Sequence, residues 1–261
     1  MAMSIKNSRE VAKMREAGRV VSVIHERIER AIAPGITTGD LDGIARQTLA
    51  ELGATSSFLG YGGGPGRRPF PGHICASVND VIVHGIPGKR VLKEGDIISV
   101  DVGAILDGYH GDSAWTYPVG AIAPEARRLL EDTEASLYRA VAAARAGVRL
   151  GAVGAAVERF AVALGYGLVR EYGGHGIGRS MHEDPHVPNH GDPTRGVLLR
   201  TGLTLAIEPM LTTGGAEWQE LNDGWTVVTA DGSLAAHFEH TVVVTATGGE
   251  ILTERLPVPV Q

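Results

Sequence analysis

Residues 92–101 read LKEGDIISVD, and residues 199–208 read LRTGLTLAIE. Laid on each other, Gly95 falls on Gly202, and the acid Asp101 falls on the acid Glu208. Alternation predicts a strand in each stretch. Ile98, Val100 and Val102 then share one face, with Ser99 and Asp101 on the other; Leu205 and Ile207 oppose Ala206 and Glu208 in the same way. The likeness extends outward. APGITTGDLDGIARQTLAELG (33–53) aligns with RAGVRLGAVGAAVERFAVALG (145–165), which sets Gly35, Gly39 and Gly53 on Gly147, Gly151 and Gly165. Two half-chains of one helix–strand plan follow, about 1–120 and 121–261, with no linker between them. They predict a single α+β domain over residues 1–261 with approximate twofold symmetry.

The other elements read outward from these two strands. A first helix is predicted from about Ser8 to Ile32, capped at Asn7 or Ser8, with Val11, Met14, Val21, Ile24, Ile28 and Ile32 as its apolar stripe and Pro34-Gly35 as its stop. A second runs from Thr38 until Gly53 stops it; a third spans about Glu125–Ala146 and a fourth Ala152–Leu164. Further strands are expected at Ala76–His84, Asp96–Val102, Ser113–Val119, Gly167–Arg170, Thr204–Pro209, Thr226–Thr229 and His237–Val244. Residues 60–72, GYGGGPGRRPFPG, read as a long loop.

Composition narrows the class of protein. A chain of 261 residues with 43% hydrophobic content buries a core without a disulfide or metal staple. Cys75 is the single cysteine, so no intramolecular disulfide forms, which suits a reducing compartment. The net charge of −6 argues against nucleic acid or an anionic membrane as the main partner. No apolar run reaches the ~18 residues of a membrane span. Lys6, Arg9, Glu10, Lys13 and Arg15 interrupt any signal-peptide core.

If the halves pack about a twofold axis, Asp101 and Glu208 approach each other. Asp107-Gly108 reads as a hairpin turn, which returns Asp112 to the neighbourhood of Asp101. Glu239 lies on the opposite face from Phe238, Val242 and Val244, and His175 sits in GGHGIG, where glycines leave its imidazole unobstructed. Four carboxylates and a neutral imidazole carry −4. Buried together they demand positive charge, and two divalent cations neutralise them. Oxygen-rich ligands with one nitrogen suit Mn, Fe, Co or Zn. Taken singly, each acid reads more readily as a surface ion pair; together on strand faces they read as a metal site.

Other signals compete. His182-Glu183-Asp184-Pro185-His186 matches H-E-x-x-H, but that motif binds zinc from a helix, and Pro185 and Pro188 with the preceding glycines exclude one here. His182 remains able to act from a loop; His186 and His190 read as surface histidines. His84 ends a strand-like run and reads either as structural or as a catalytic group beside the metal site. The glycines at 60–66 have no Gly-Lys-Ser/Thr and open no helix, so they do not cradle phosphate, and Arg67-Arg68 reads as a solvated tip.

VNDVIVHGIP (78–87), ISVDVGAILDGYHGD (98–112), GGHGIGRSMHEDP (173–185), LAIEPM (205–210) and FEHTVVV (238–244) together resemble the signature segments of type 1 methionine aminopeptidases. The resemblance spans Ile5 to about Glu254. It implies the pita-bread fold, an α+β architecture with a pseudo-twofold mixed or antiparallel sheet and helices outside. It also implies a metal-dependent exopeptidase that removes N-terminal methionine when the second residue is small. By motif position the ligands of two divalent ions are Asp101, Asp112, His175, Glu208 and Glu239, and the resemblance adds His84 and His182 as catalytic groups that also touch substrate, with Glu208 as the proton carrier. Phe58, Tyr61, Cys75, Met181 and Trp225, with Phe70 from the long loop, are candidates for the methionine slot and read equally as ordinary core or loop residues. The stretch between His175 and Glu208 is too short for the helical insert of the type 2 enzymes, and the chain resembles the short bacterial form. Implied partners are nascent polypeptide N-termini and peptides, with transient ribosome contact, for a cytoplasmic monomer that uses neither nucleic acid nor membrane. X-Pro aminopeptidases and prolidases, and non-catalytic binding modules, share the fold and stay open as alternatives. Three departures stand out: Gly103 replaces a threonine common among relatives, which removes a hydroxyl near the metals; the loop Gly62–Gly72, which flanks the expected substrate pocket, is longer and richer in glycine and proline than usual; and Met181 takes an often aromatic position.

Overall fold

The structure, a computed structural model, describes residues 3–64 and 68–255. Arg67 of the expected Arg67-Arg68 tip lies outside them, while Arg68 is exposed. Helix α1 (Ser8–Ala31) starts at a capping box: Asn7 Oδ1 accepts from the amides of Arg9 and Glu10 at 3.0 and 3.1 Å, and Glu10 Oε2 accepts from the Asn7 amide at 3.0 Å. Thr37 and Asp40 form the same device ahead of α2 (Thr38–Glu51). Helix α3 (Pro124–Ala143) has proline in its first turn, and α4 (Gly151–Leu164) ends on Gly165 at φ 81°. Helix α3 stops short of Ala146 because Ala146 N–H turns away to donate to Thr245 O.

The strand Ile97–Leu106 centres the first half. It pairs antiparallel with Thr55–Ser56, Ile74–Val78 and Tyr109–Pro118. Its apolar face, Ile98, Val100 and Val102, packs under α1 and α2 with Val21, Ile24, Leu41 and Leu49. In the second half, Thr204–Ile207 lies between Gly173–Gly176 and His240–Val244 in a five-stranded sheet. Leu205, Ile207, Val242 and Val244 join Leu129, Leu137, Val153 and Val157 of α3 and α4 in a second core. Along the chain, two helices followed by strands occur twice in order. The expected mixed or antiparallel sheet resolves into several small sheets. Among the described residues every strand pair in them is antiparallel, and the bridge Arg145–Thr245 is parallel.

Two expected strands are broken. Ala76–His84 divides into Ile74–Val78 and Val81–Val83 at Asn79-Asp80, where Asn79 takes φ 59°. His237–Val244 divides into Ala235–His237 and His240–Val244, because residues 238 and 239 leave the ladder to serve a seam between the halves. There Glu239 N–H donates to Ala114 O (2.8 Å) and Ser113 Oγ donates to Glu239 O (2.7 Å). Thr241 Oγ1 accepts from Asp112 N–H (3.0 Å) and donates to Asp112 O (2.8 Å). Trp115 packs against both cores across this seam and meets Phe238 edge-on at 4.7 Å.

Close backbone approach seats α1 on this arrangement. A Cβ on Gly18 would stand 2.1 Å from Leu252 O, and one on Gly111 would stand 2.7 Å from Gly18 N. Gly18→Ala is therefore expected to destabilise by about 2 kcal/mol through overpacking, a Tm loss of about 4–8 °C. Gly43→Ala, inside α2 with nothing within 4 Å of the new methyl, is expected to stabilise by up to ~1 kcal/mol. Thermal and urea denaturation of the two variants measure the contrast.

Candidate active site

Strand register brings the acids together. Asp101 pairs with Cys75 on one side and Ala114 on the other. Asp107 and Gly108, at φ 50° and 75°, make the two-residue turn that Leu106 and Tyr109 close. The returning strand sets Asp112 opposite Gly103, so Asp101 and Asp112 share a face. The seam puts Glu239 beside them. His175 pairs with Ala206, and Glu208 follows at the end of the same strand, its carbonyl held by Asn189 Nδ2 at 2.9 Å.

The ligand atoms of Asp112, His175 and Glu239, all three buried, lie within 4.8 Å of one another. His175 Nδ1 faces the Gly176 carbonyl at 2.9 Å. A carbonyl only accepts, so Nδ1 carries the hydrogen and Nε2 presents a lone pair. That lone pair faces Asp112 Oδ2 at 3.9 Å and Glu208 Oε1 at 3.8 Å. Asp101 Oδ1, Asp112 Oδ1 and Glu239 Oε1 are buried with no hydrogen-bond partner among the described residues. Lone pairs facing lone pairs in a dry site repel, and a cation relieves them.

The titration behaviour follows. Burial pushes the Asp101 carboxyl up to about 7, with His237 pulling it down and Glu208 adding to the rise. Burial first, then neighbouring carboxylates, push Asp112 and Glu239 well above the usual range. At Glu208 burial also raises, but His237, with Nε2 at 3.5 Å from Oε2, then His175 and His182 outweigh it and hold the carboxyl below its ordinary value.

The same cavity, about 210 Å³, is lined on its other side by Phe58, Tyr61, Phe70, Cys75, Met181 and Trp225, and His84 and His182 flank it. Phe58 and Phe70 meet edge-on at 6.4 Å, as do Phe70 and Trp225 at 5.2 Å. Burial pushes the Cys75 thiol well up, which leaves it an apolar wall and not a nucleophile. His84 holds a left-handed backbone at φ 60°, a costly conformation for a non-glycine residue, and packs on Tyr172 and Trp225. His182 is exposed at the cavity mouth, its ring 4.1 Å from that of His175; Tyr61 Oη and His182 Nδ1 share a hydrogen bond at 2.6 Å. Partial burial of the ring, then His175, holds His182 below the usual histidine range, so it is neutral at pH 7.

Every residue singled out for the site thus borders one cavity. The H-E-x-x-H letters fall on the turn before, and the first residues of, the strand Glu183–Pro188, and His186 is exposed, so no helix presents His182 and His186 together. The space beside Gly103 is filled by Ser57. A Cβ there would meet Ser57 Cβ at 2.7 Å and Ser57 Oγ at 3.1 Å, and Ser57 Oγ hydrogen-bonds His110 Nδ1 at 2.9 Å. Sequence reasoning passed over His237 and His110. Each lies two residues before a singled-out acid, Glu239 and Asp112, and strand alternation was the signal that could have found them.

Residues 12–246 match metallopeptidase family M24. The chain belongs to that family. "Methionine aminopeptidase 1" of Bacillus subtilis is 51% identical over 248 residues, 95% of this chain and 98% of that protein. The crystal structure of a Thermotoga maritima methionine aminopeptidase superposes with a TM-score of 0.93 at 42% identity, covering 97% of this chain and 100% of that one. An Xaa-Pro dipeptidase from Bacillus anthracis, 23% identical, superposes with a TM-score of 0.75 over 97% of this chain and 62% of that one, which is a likeness of fold. The M24 chain is accordingly a metal-dependent hydrolase of the pita-bread fold.

Two outcomes are expected of the acid cluster. Asp112→Ala and Glu239→Ala abolish stoichiometric divalent-metal binding, read by elemental analysis and calorimetry. In metal-stripped protein, folded Asp101 keeps a proton that the unfolded chain has released. Its stability therefore falls as pH rises from the ordinary 3.8 towards 7. Adding Mn²⁺ should flatten or reverse that slope in thermal melts at pH 5, 6 and 7.

Proposed function

We propose that the protein removes the N-terminal methionine of peptides and nascent polypeptides whose second residue is small. The observation that carries the reading is the single cavity in which a carboxylate cluster adjoins a slot of aromatic rings, Cys75 and Met181. A long, unbranched, polarizable side chain suits such walls. The near full-length identity with methionine aminopeptidases supports it.

Asp101, Asp112, His175, Glu208 and Glu239 would hold two divalent ions, Mn, Fe, Co or Zn. Their unsatisfied buried oxygens and the outward Nε2 lone pair of His175 fit hard-to-borderline cations. When bound, such ions supply Lewis acidity, which polarises a carbonyl and makes water nucleophilic near neutral pH. Glu208, whose carboxyl His237 keeps ionised, accepts the proton lost by water at its Oε and returns it to the leaving amine. Tyr61 Oη and Nδ1 of neutral His182 share a hydrogen bond; in the tautomer in which Tyr61 donates, Nε2–H is left to stabilise the charge that develops on the scissile carbonyl oxygen. His84, wedged against Tyr172 and Trp225, orients the peptide at the bond being cut. The carboxylate floor receives the free α-amino group that an internal bond lacks. A bulky second side chain would push the carbonyl from the attack position, and displacement near 1 Å costs about a hundredfold.

The catalytic domain spans residues 1–261, with halves of about 1–120 and 121–261, and works as a monomer. Nascent chains are met at the ribosome in the cytoplasm, which is the compartment and the transient contact this reading assigns.

Met-X-Ser peptides test it, with Leu-Ala-Ser and acetyl-Met-Ala-Ser as controls. Met-Ala-Ser should be cleaved at least ~100-fold faster in kcat/KM than Met-Arg-Ser, and the acetylated peptide should resist. Preferred cleavage of X-Pro peptides with X other than methionine would move the protein to the prolidase branch. His182→Ala should lower kcat by about a hundredfold with metal retained, while His186→Ala does little.

A further inference from the structure

Glu183, the second letter of the unused H-E-x-x-H match, lies next to His182 and is engaged elsewhere. Its Oε2 receives Lys6 Nζ at 2.6 Å, with Lys6 side chain 3% and Glu183 side chain 15% exposed. Its Oε1 accepts from the amides of Arg179 and Ser180 at 2.8 and 3.2 Å. One carboxylate thus ties the turn that leads into Met181 and His182 to the stretch ahead of α1. Lys6 is itself fixed: Nζ donates to Ser4 O at 3.2 Å, and its amide donates to Gly202 O at 2.8 Å. Gly202 precedes the strand Thr204–Ile207, which Glu208 follows directly. Gly178 makes room for the lysine, since a Cβ there would stand 2.4 Å from Lys6 Cε. A weaker set of contacts follows the same route. Arg179 lies 3.8 Å from Glu10 and over the Tyr109 ring, and Tyr109 Oη donates to Glu10.

A buried ion pair is poor value for stability, because desolvation cancels most of its attraction and apolar residues would pack as well. What it supplies is direction. We propose that the Lys6–Glu183 pair is a positioning latch: it fixes segment 178–183 against the strand leading to Glu208, and so sets the distance of His182 from the reacting carbonyl. Lys6 and Glu183 touch neither substrate nor metal ligands in this account and act through His182. The latch therefore rests on the reading of His182 as donor to the scissile carbonyl.

A double-mutant cycle on Mn²⁺-loaded protein with Met-Ala-Ser tests it. Lys6→Met keeps the aliphatic stem, and Glu183→Gln keeps an Oε1 acceptor for the two amides while removing the charge. Each should lower kcat about tenfold, with KM within about twofold and metal content unchanged. In the His182→Ala background, Lys6→Met should cost nothing further, because the group it positions is gone. Should Lys6→Met fail to fold, Glu183→Gln carries the same cycle. Unchanged kcat in the single variants, or losses that multiply in the His182→Ala background, would overturn the latch and leave the His182 reading standing on its own loss of kcat. An unchanged kcat in His182→Ala alone would overturn that reading first and the latch with it.

Discussion

Mutual repulsion among Asp101, Asp112, Glu208 and Glu239 is the constraint around which this molecule is arranged. Four acids from two half-chains end in one dry site, and the protein supplies too little positive charge to balance them. The raised affinity of Asp101, Asp112 and Glu239 for protons and their unpaired oxygens are two expressions of the same deficit. No chain would hold these groups together for stability alone. The backbone overrides the repulsion by rigid means: a hairpin of two ten-residue strands on one side, and side-chain-to-backbone hydrogen bonds from Ser113 and Thr241 on the other. Holding charge apart from its preferred solvent is what equips the site to bind cations and to act on a peptide bond.

The twofold plan serves this end. Each half buries its own apolar face under its own pair of helices, and the two polar faces are left to meet. Neither half contains a complete site. Glu239 contacts the first half through the Ala114 carbonyl, and Trp115 from the first half inserts between the cores. Where both faces of the strand were needed, the ladder was sacrificed: residues 238 and 239 turn one way to the core as Phe238 and the other way to the site as Glu239.

The cavity wall has a different character. Its residues come from distant turns and strand ends, and edge-on ring contacts hold them. A small change here rests on neighbours and not on register, as at Gly103, whose absent side chain is matched by Ser57 from another segment. The left-handed His84 belongs to the same region and shows the wall storing strain beside the chemistry.

Strand alternation, helix caps, the Asp107-Gly108 turn and the repeat are local or periodic properties, and the sequence by itself determined them. From these came the α+β class, the four helices, and the faces on which Asp101, Asp112 and Glu208 stand. The resemblance of the motifs extended that to His84 and His182. Tertiary structure decided the rest, because the relevant partners lie far apart in the chain. The break at 238–239 answers to Ala114 and Ser113, and the early end of α3 answers to Thr245. The role of Glu183 answers to Lys6 at a sequence separation of 177. Periodicity tells which way a side chain points; only packing tells what it meets there.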